Sequence, residues 1–366
     1  MIFDMSFWDN YKHCVEATSG GNNTVMFDDL QQPSVMVRVS KYKVEDVTAG
    51  AGDGVHPAFI ISGVEQYEFW AGMYPAYLAN SRALSIPGVD PAVSINFDNS
   101  LLACGNKGEG WHLMTNAEWA AIFLWSHSFA GADAVHGNTY YGRDYLEKDE
   151  IGRRQDGITP GTASGMARTL TGSGPLKWRH DLSPYGIADL VGNVWEWVGG
   201  YRLVDGEIQV IENNDAALDR TGAAHGVSSA SWKAILEAGT LVAPATALTL
   251  KWDATGATGT GEPILNTAIT SQSDGTTYAG TYYKSITCVS PTVAPDILKK
   301  LGVYPHEVTM SRGYFYMRNL GERLPYRGGD WNNSSNAGLA AAYLTGPRSI
   351  ASTSFGFRPA FVSRVL

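Results

Sequence analysis

The sequence predicts an α+β fold, irregular and loop-rich, and three observations carry that prediction. One segment reads as a capped amphipathic helix. Several short β-prone runs are separated by turn residues. Glycine (41) and tryptophan (11) are heavily used in a chain of 366 residues. Glycine opens backbone geometry closed to other residues, and tryptophan pins irregular loops with large apolar area. Hydrophobic residues make up 44% of the chain, enough for a sizeable core in one large or two ordinary domains.

Residues 1–45 read as an N-terminal extension or small arm. Phe7, Trp8 and Tyr11 sit at helical spacing, and Ser34 to Val39 alternates like a strand. A glycine-rich hinge at residues 49–54 opens the main domain, 46–366. Phe59, Ile60 and Ile61 read as a strand. Thr115 and Glu118 have the spacing of a capping box, and Trp119, Ile122, Phe123 and Ser126 follow as the face of an amphipathic helix. In Trp195-Glu196-Trp197, strand alternation sends both rings to one face and the carboxylate to the other. Residues from about 201 to 310 change texture. Ala, Thr, Gly and Ser dominate, which suggests an inserted β and loop segment, with a short helix at Trp232 to Glu237.

Composition excludes several function classes. Net charge is −9, charged residues are only 17%, and the basic clusters are short, so nucleic-acid binding is disfavoured. No apolar run reaches the length of a membrane span. The N-terminus carries Asp4 and lacks the basic and apolar regions of a signal peptide. Cys14, Cys104 and Cys288 are an odd, scattered set and read as buried small hydrophobes, not as a disulfide framework. The eight histidines form no metal-binding pair in sequence.

The end of the chain is the most informative part. Arg327-Gly328-Gly329-Asp330-Trp331 and Gly356-Phe357-Arg358-Pro359-Ala360-Phe361 bracket a run of small and polar residues, NNSSNAGLAAAYLTGPRSIASTS. That run reads as an exposed surface that presents side chains between rigid anchors. As a display surface, the expected ligand-binding region would span about 327–361.

Three segments in order, Gly110 to Trp119, Asp189 to Trp197 and this terminal block, resemble the C-type-lectin-like fold of the formylglycine-generating-enzyme (sulfatase-modifying factor) type. The resemblance covers roughly His56 to Phe361, and GNVWEW at 192–197 is its most specific signature. The terminal block most resembles the variable proteins of diversity-generating retroelements. The oxidases of the fold use two cysteines after the terminal signature to hold copper, and thiolates suit Cu(I). Here Asn333 and Gly338 stand about where that pair would fall. The resemblance also implies a calcium at the central turn, held by Asp189, the carbonyls of Gly192 and Val194, and Glu196. Hydrogen bonds or ion pairs within the turn are the other reading of these carboxylates. No cofactor is required.

In the retroelement proteins, variation arises where the template carries adenine, and asparagine codons are the usual targets. The resemblance thus implies a diversified set. Asn332, Asn333 and Asn336 would persist as asparagine. Asp330, Tyr343, Thr345, Ile350, Ser352, Thr353 and Ser354 would be reached by adenine changes. Ala337-Gly338, Leu339, Leu344, Ser349 and Gly356-Phe357-Arg358 would be fixed frame. Donors, acceptors and one tyrosine are also the vocabulary of antibody paratopes.

The expectation is a non-enzymatic receptor or tropism determinant whose partner is a protein or glycan ligand on a cell surface. Its location would be a virion, the cytoplasm, or a surface reached by another route. An oxidase with altered chemistry and a structural virion or tail component are the alternatives. The oligomeric state is open.

Overall fold

The computed structural model describes residues 5–290 and 293–363, with side chains from residue 9 onward. The side chains of Phe7 and Trp8 lie outside the described residues. The helix they suggested runs Met5–Thr18.

Two sheets share the terminal block. The first is five-stranded, in the order Asn23–Phe27, Pro33–Ser40, Glu68–Gly72, Pro359–Phe361, Trp111–Leu113, with antiparallel pairing throughout. The strands of the N-terminal extension are therefore hydrogen-bonded into the main domain. The second is six-stranded, in the order Ala279–Tyr282, Tyr314–Met317, Gly338–Leu344, Tyr326–Gly328, Trp195–Trp197, Phe355–Phe357. The chain crosses from the second sheet to the first at Arg358.

Behind the six-stranded sheet lies the helix Asn116–Ala130. Its capping box is complete, with Thr115 Oγ1 accepting the Glu118 N–H at 3.1 Å and Glu118 Oε2 accepting the Thr115 N–H at 3.0 Å. The amphipathic expectation is corrected: nearly every residue from Asn116 to His127 is buried. The reason is that the helix has partners on two sides. Trp119 Nε1 donates to Leu339 O at 3.0 Å, and Tyr42 Oη donates to Ala121 O at 2.9 Å.

The insertion builds an eight-stranded sheet of its own, tied back by Tyr201–Val204 pairing with Glu322–Arg323. It also lends Ala279–Tyr282 to the edge of the six-stranded sheet. Trp232–Ile235 is a strand in it, not a helix, paired with Glu207–Ile211. Trp232 and Ile235 are β-formers, and the ladder outweighs the weak helical preference of so short a run. The cysteine reading holds only for Cys104, which is buried. Cys14 is exposed on the outer face of the first helix, and Cys288 is half-buried on an edge strand. Among the described residues no helix is long and apolar enough to cross a membrane.

Candidate functional site

The site is built around the crossing between the two sheets. Strand alternation places Trp195 and Trp197 on the front of the six-stranded sheet and Glu196 on the back, as its sequence predicts. There Glu196 meets Arg358, with Nη2 at 2.6 Å from Oε1 and Nε at 2.9 Å from Oε2. Arg358 also donates to Gly72 O and Ala188 O, each at 2.9 Å. One guanidinium thus fastens both sheets and the central loop. Burial pushes the Glu196 carboxyl up from its ordinary range, and Arg358 opposes that rise.

This geometry tests the calcium ligand set. Calcium needs free carboxylate and carbonyl oxygens. Both Glu196 oxygens already accept charge-assisted bonds from Arg358, which is itself fully buried. Asp189 Oδ2 accepts the Gly172 N–H at 2.7 Å, and its Oδ1 makes no hydrogen bond. Of the two carboxylates only Asp189 keeps a free oxygen, and Arg358 and Arg179 both favour its charged form. The residues do not fit a dication as they stand, because the guanidinium occupies the position of the positive charge. Gly192 and Val194 also have structural contacts, through the N–H of one and the side chain of the other. Gly192 N–H donates to Gly328 O at 3.1 Å, and the Val194 side chain packs with Trp331.

Glycine is required at two adjacent anchor positions. Gly328 and Gly329 have φ of 91° and 96°, and a Cβ would lie 2.5 Å from Leu190 O and 2.5 Å from Ala337 Cβ respectively. Between the anchors the sequence reading needs correction. Gly338–Leu344 is a strand within the sheet, and of its residues only Tyr343 is not buried. Small residues are needed here because the back of the strand lies against other main chain. A Cβ at Gly338 would stand 1.9 Å from Arg312 O. Ser349, expected as frame, is exposed.

The display residues are not uniformly open. Asn332 and Thr353 are exposed, and Asn333, Asn336, Tyr343, Ile350, Ser352 and Ser354 are half-buried. Asp330 and Thr345 are buried, contrary to the sequence reading. Asp330 is drawn inward by its turn: its N–H donates to Asn333 Oδ1 at 2.7 Å, and its Oδ1 accepts the Asn332 N–H at 3.1 Å. Burial pushes its carboxyl up to about 6, opposed by the Asn332 N–H and the Ser354 hydroxyl. Thr345 follows the buried strand end. Asp330, Asn332, Asn333 and the 352–354 loop form one group. Asn336 and Tyr343 belong to another, an aromatic row.

That row was missed by sequence reasoning. In register across the sheet stand Tyr316, Tyr343, Tyr326 and Trp197, all on the front. Ring centroids are 4.7 Å apart for Tyr316 and Tyr343, and 5.0 Å for Tyr343 and Tyr326. Tyr314 and Tyr282 continue the row at 4.5 Å and 5.3 Å. A Cβ at Gly280 would lie 2.5 Å from Tyr314 Cε1, so the edge strand yields its face to the rings. The tryptophan end is covered by Phe97, 5.9 Å from Trp197. The tyrosine end is open: Tyr278 and Tyr282 are 48% and 40% exposed. Asn336 Nδ2 donates to Tyr316 Oη at 2.9 Å, which joins the terminal block to the row. Burial pushes the Tyr316 hydroxyl up to about 12, so it stays a donor at neutral pH. The alternation in Tyr314-Phe315-Tyr316-Met317 was the signal that could have revealed it.

Four histidines are held in carboxylate pairs. His112, His127, His136 and His225 each pair with a single carboxylate. Among the described residues, no group of three His, Cys, Asp or Glu is placed to hold a metal.

No family model matches the chain, and no curated protein matches it. Its neighbours among solved structures include a variable protein, tropism determinant variants and PvdO, all distant in sequence. Treponema denticola variable protein 1 is 11% identical, with a TM-score of 0.33 over 93% of this chain and 98% of that one. The Major Tropism Determinant U1 variant is 13% identical, with a TM-score of 0.30 over 90% of this chain and 63% of that one. PvdO from Pseudomonas aeruginosa is 10% identical, with a TM-score of 0.30 over 92% and 97%.

Proposed function

We propose that this chain is a non-enzymatic ligand-binding protein of the retroelement variable type, on a C-type-lectin-like scaffold. Its partner is a protein or glycan on a cell surface. The observation that carries the reading is the open tyrosine end of the six-stranded sheet, where Tyr343 and Asn336 of the terminal block join Tyr316, Tyr314 and Tyr282. Tyrosine gives large contact area at low entropic cost, and asparagine and serine give adaptable hydrogen bonds. The surface is mounted on a strand whose other residues are buried, so a change in the displayed side chains leaves the frame in place. Asn332, Asn333, Ser352, Thr353 and Ser354 form a second polar group of the same surface.

The test is binding of the labelled full chain to a panel of cells and immobilised glycans. Tyr343→Ala and Tyr316→Ala are expected to abolish binding to whichever target the wild type selects, while melting as wild type does within a few degrees. Unchanged binding in both variants would refute the reading.

A further inference from the structure

Beside the tyrosine row lies a cavity of about 250 Å³, lined by Asp133, His136, Tyr145, Tyr282, Lys284 and Arg312 among others. Three segments meet there: the loop after the long helix, the insertion and the strand entry at Arg312. Ser335 of the terminal block completes the wall. The Arg312 side chain is only 10% exposed, and neither its Nε nor its Nη2 makes a hydrogen bond. Its ion pair is long, with Nη2 at 3.5 Å from Asp144 Oδ2. Asp144 does not depend on it, because Asp144 Oδ1 accepts the N–H groups of Leu146 and Glu147 at 2.8 Å and 3.0 Å. A nearly buried guanidinium with unmet donors favours a planar anion.

We propose that this cavity seats a sugar ring bearing one carboxylate, as a subsite of the ligand surface; the proposal rests on that reading of the neighbouring face. Arg312 takes the carboxylate, and Lys284 at the rim adds a second positive charge. Asp133, whose carboxylate accepts the Arg312 main-chain N–H, offers an acceptor to a sugar hydroxyl. His136 is held by Glu150 at 2.8 Å and does not add a free cation. An acceptor beside the cations selects against sulfate, which brings no donor and would meet Asp133 with like charge. The hydroxyls of Tyr145, Tyr282 and Ser335 supply further partners. Both rings are 40% exposed, so each keeps open surface for a pyranose to pack against. The volume is below that of drug-sized sites, roughly 300–1,000 Å³, and suits one ring. An aspartate or glutamate side chain would leave much of it unfilled.

The test is saturation-transfer NMR titration of the full chain with glucuronate, glucose, sulfate and N-acetylaspartate. Glucuronate is expected to bind at least tenfold more tightly than the other three. Arg312→Met should weaken it at least tenfold, and Arg312→Lys should restore part of the loss. If Arg312→Met fails to fold, Ser335→Trp, which fills the cavity from its accessible side, should give the same loss. Arg312-dependent glucuronate binding by a chain that binds none of the cells or glycans in the panel would separate failure of the ligand-surface reading from failure of this one. Glucose binding as tightly as glucuronate would overturn the proposal. So would equal binding of sulfate, which marks a bare anion site, or of N-acetylaspartate, which marks a peptide site. Glucuronate affinity unmoved by Arg312→Met or Ser335→Trp would overturn it as well.

Discussion

Arg358 and Glu196 form a bidentate ion pair shut away from solvent, with side-chain exposures of 0% and 1%. The pair joins the crossing between the two sheets to the strand Trp195–Trp197 of the six-stranded one. Removing one partner of such a pair leaves a buried charge uncompensated, at a cost of about 3–5 kcal/mol. Arg358→Met is expected to destabilise by that amount in urea denaturation. The double variant Arg358→Met/Glu196→Leu should recover a substantial part, because both charges are then gone. A double variant no more stable than the single one would show that the charges are not coupled.

The same pair bears on metal. With both Glu196 oxygens engaged, a chelator is expected to leave the melting temperature of metal-stripped protein unchanged, and added calcium should not raise it. A calcium-specific rise that Glu196→Gln abolishes would show that Arg358 yields to the ion.

Asp330 gives a pH dependence of unusual sign. Its folded-state pKa of about 6 lies above the ordinary value of 3.8. The folded state therefore holds its proton in a window where the unfolded chain has lost it. Stability from this group is full below the unfolded value and falls as pH rises through about 6. Asp330→Asn keeps the hydrogen-bonding shape and removes the buried charge. It should stabilise the protein at pH 7.5 by about 1–3 kcal/mol. The gain should vanish near pH 4, as read from melts of both proteins across the range. A constant gain would place the effect elsewhere.

Frame and display positions should separate in stability. Trp331→Ala and Phe357→Ala are expected to cost about 3–5 kcal/mol each. Asn332→Ala, on an exposed side chain, should stay within about 0.5 kcal/mol. Asn333→Ala should cost about 1 kcal/mol, more than a free surface residue, because Asn333 Oδ1 accepts the Asp330 N–H. Denaturant midpoints rank the four.

Local signals were legible where a side chain answers to its own neighbours. Thr115 and Glu118 announced a helix start, and Trp195-Glu196-Trp197 announced two faces. Long-range packing was not legible. Nothing near Trp232 says that Glu207–Ile211 waits to pair with it. The alanines at 340–342 look like exposed small residues in sequence. They are buried on both faces of the sheet, Ala341 in the cluster of Trp195 and Trp197, Ala340 and Ala342 in the main core. Arg358 showed the same limit: the resemblance suggested a cation at the central turn, and the positive charge comes from a residue far away in sequence. The tyrosine row escaped because its members come from separate segments, 278–282, 314–316, 326 and 343.

A substitution scan of the terminal block, 327–361, read twice, separates frame from display. Protease resistance on heating reports folding, and binding to the selected cell or glycan target reports function. Asn332, Asn336, Tyr343, Ser352 and Thr353 are expected to tolerate most residues in the folding readout, while their substitution redirects or abolishes binding. Gly328, Gly329, Trp331, Gly338, Phe357 and Arg358 are expected to tolerate almost none in either. A scan in which the two groups are equally sensitive to folding, or in which display substitutions leave binding unmoved, would contradict that separation.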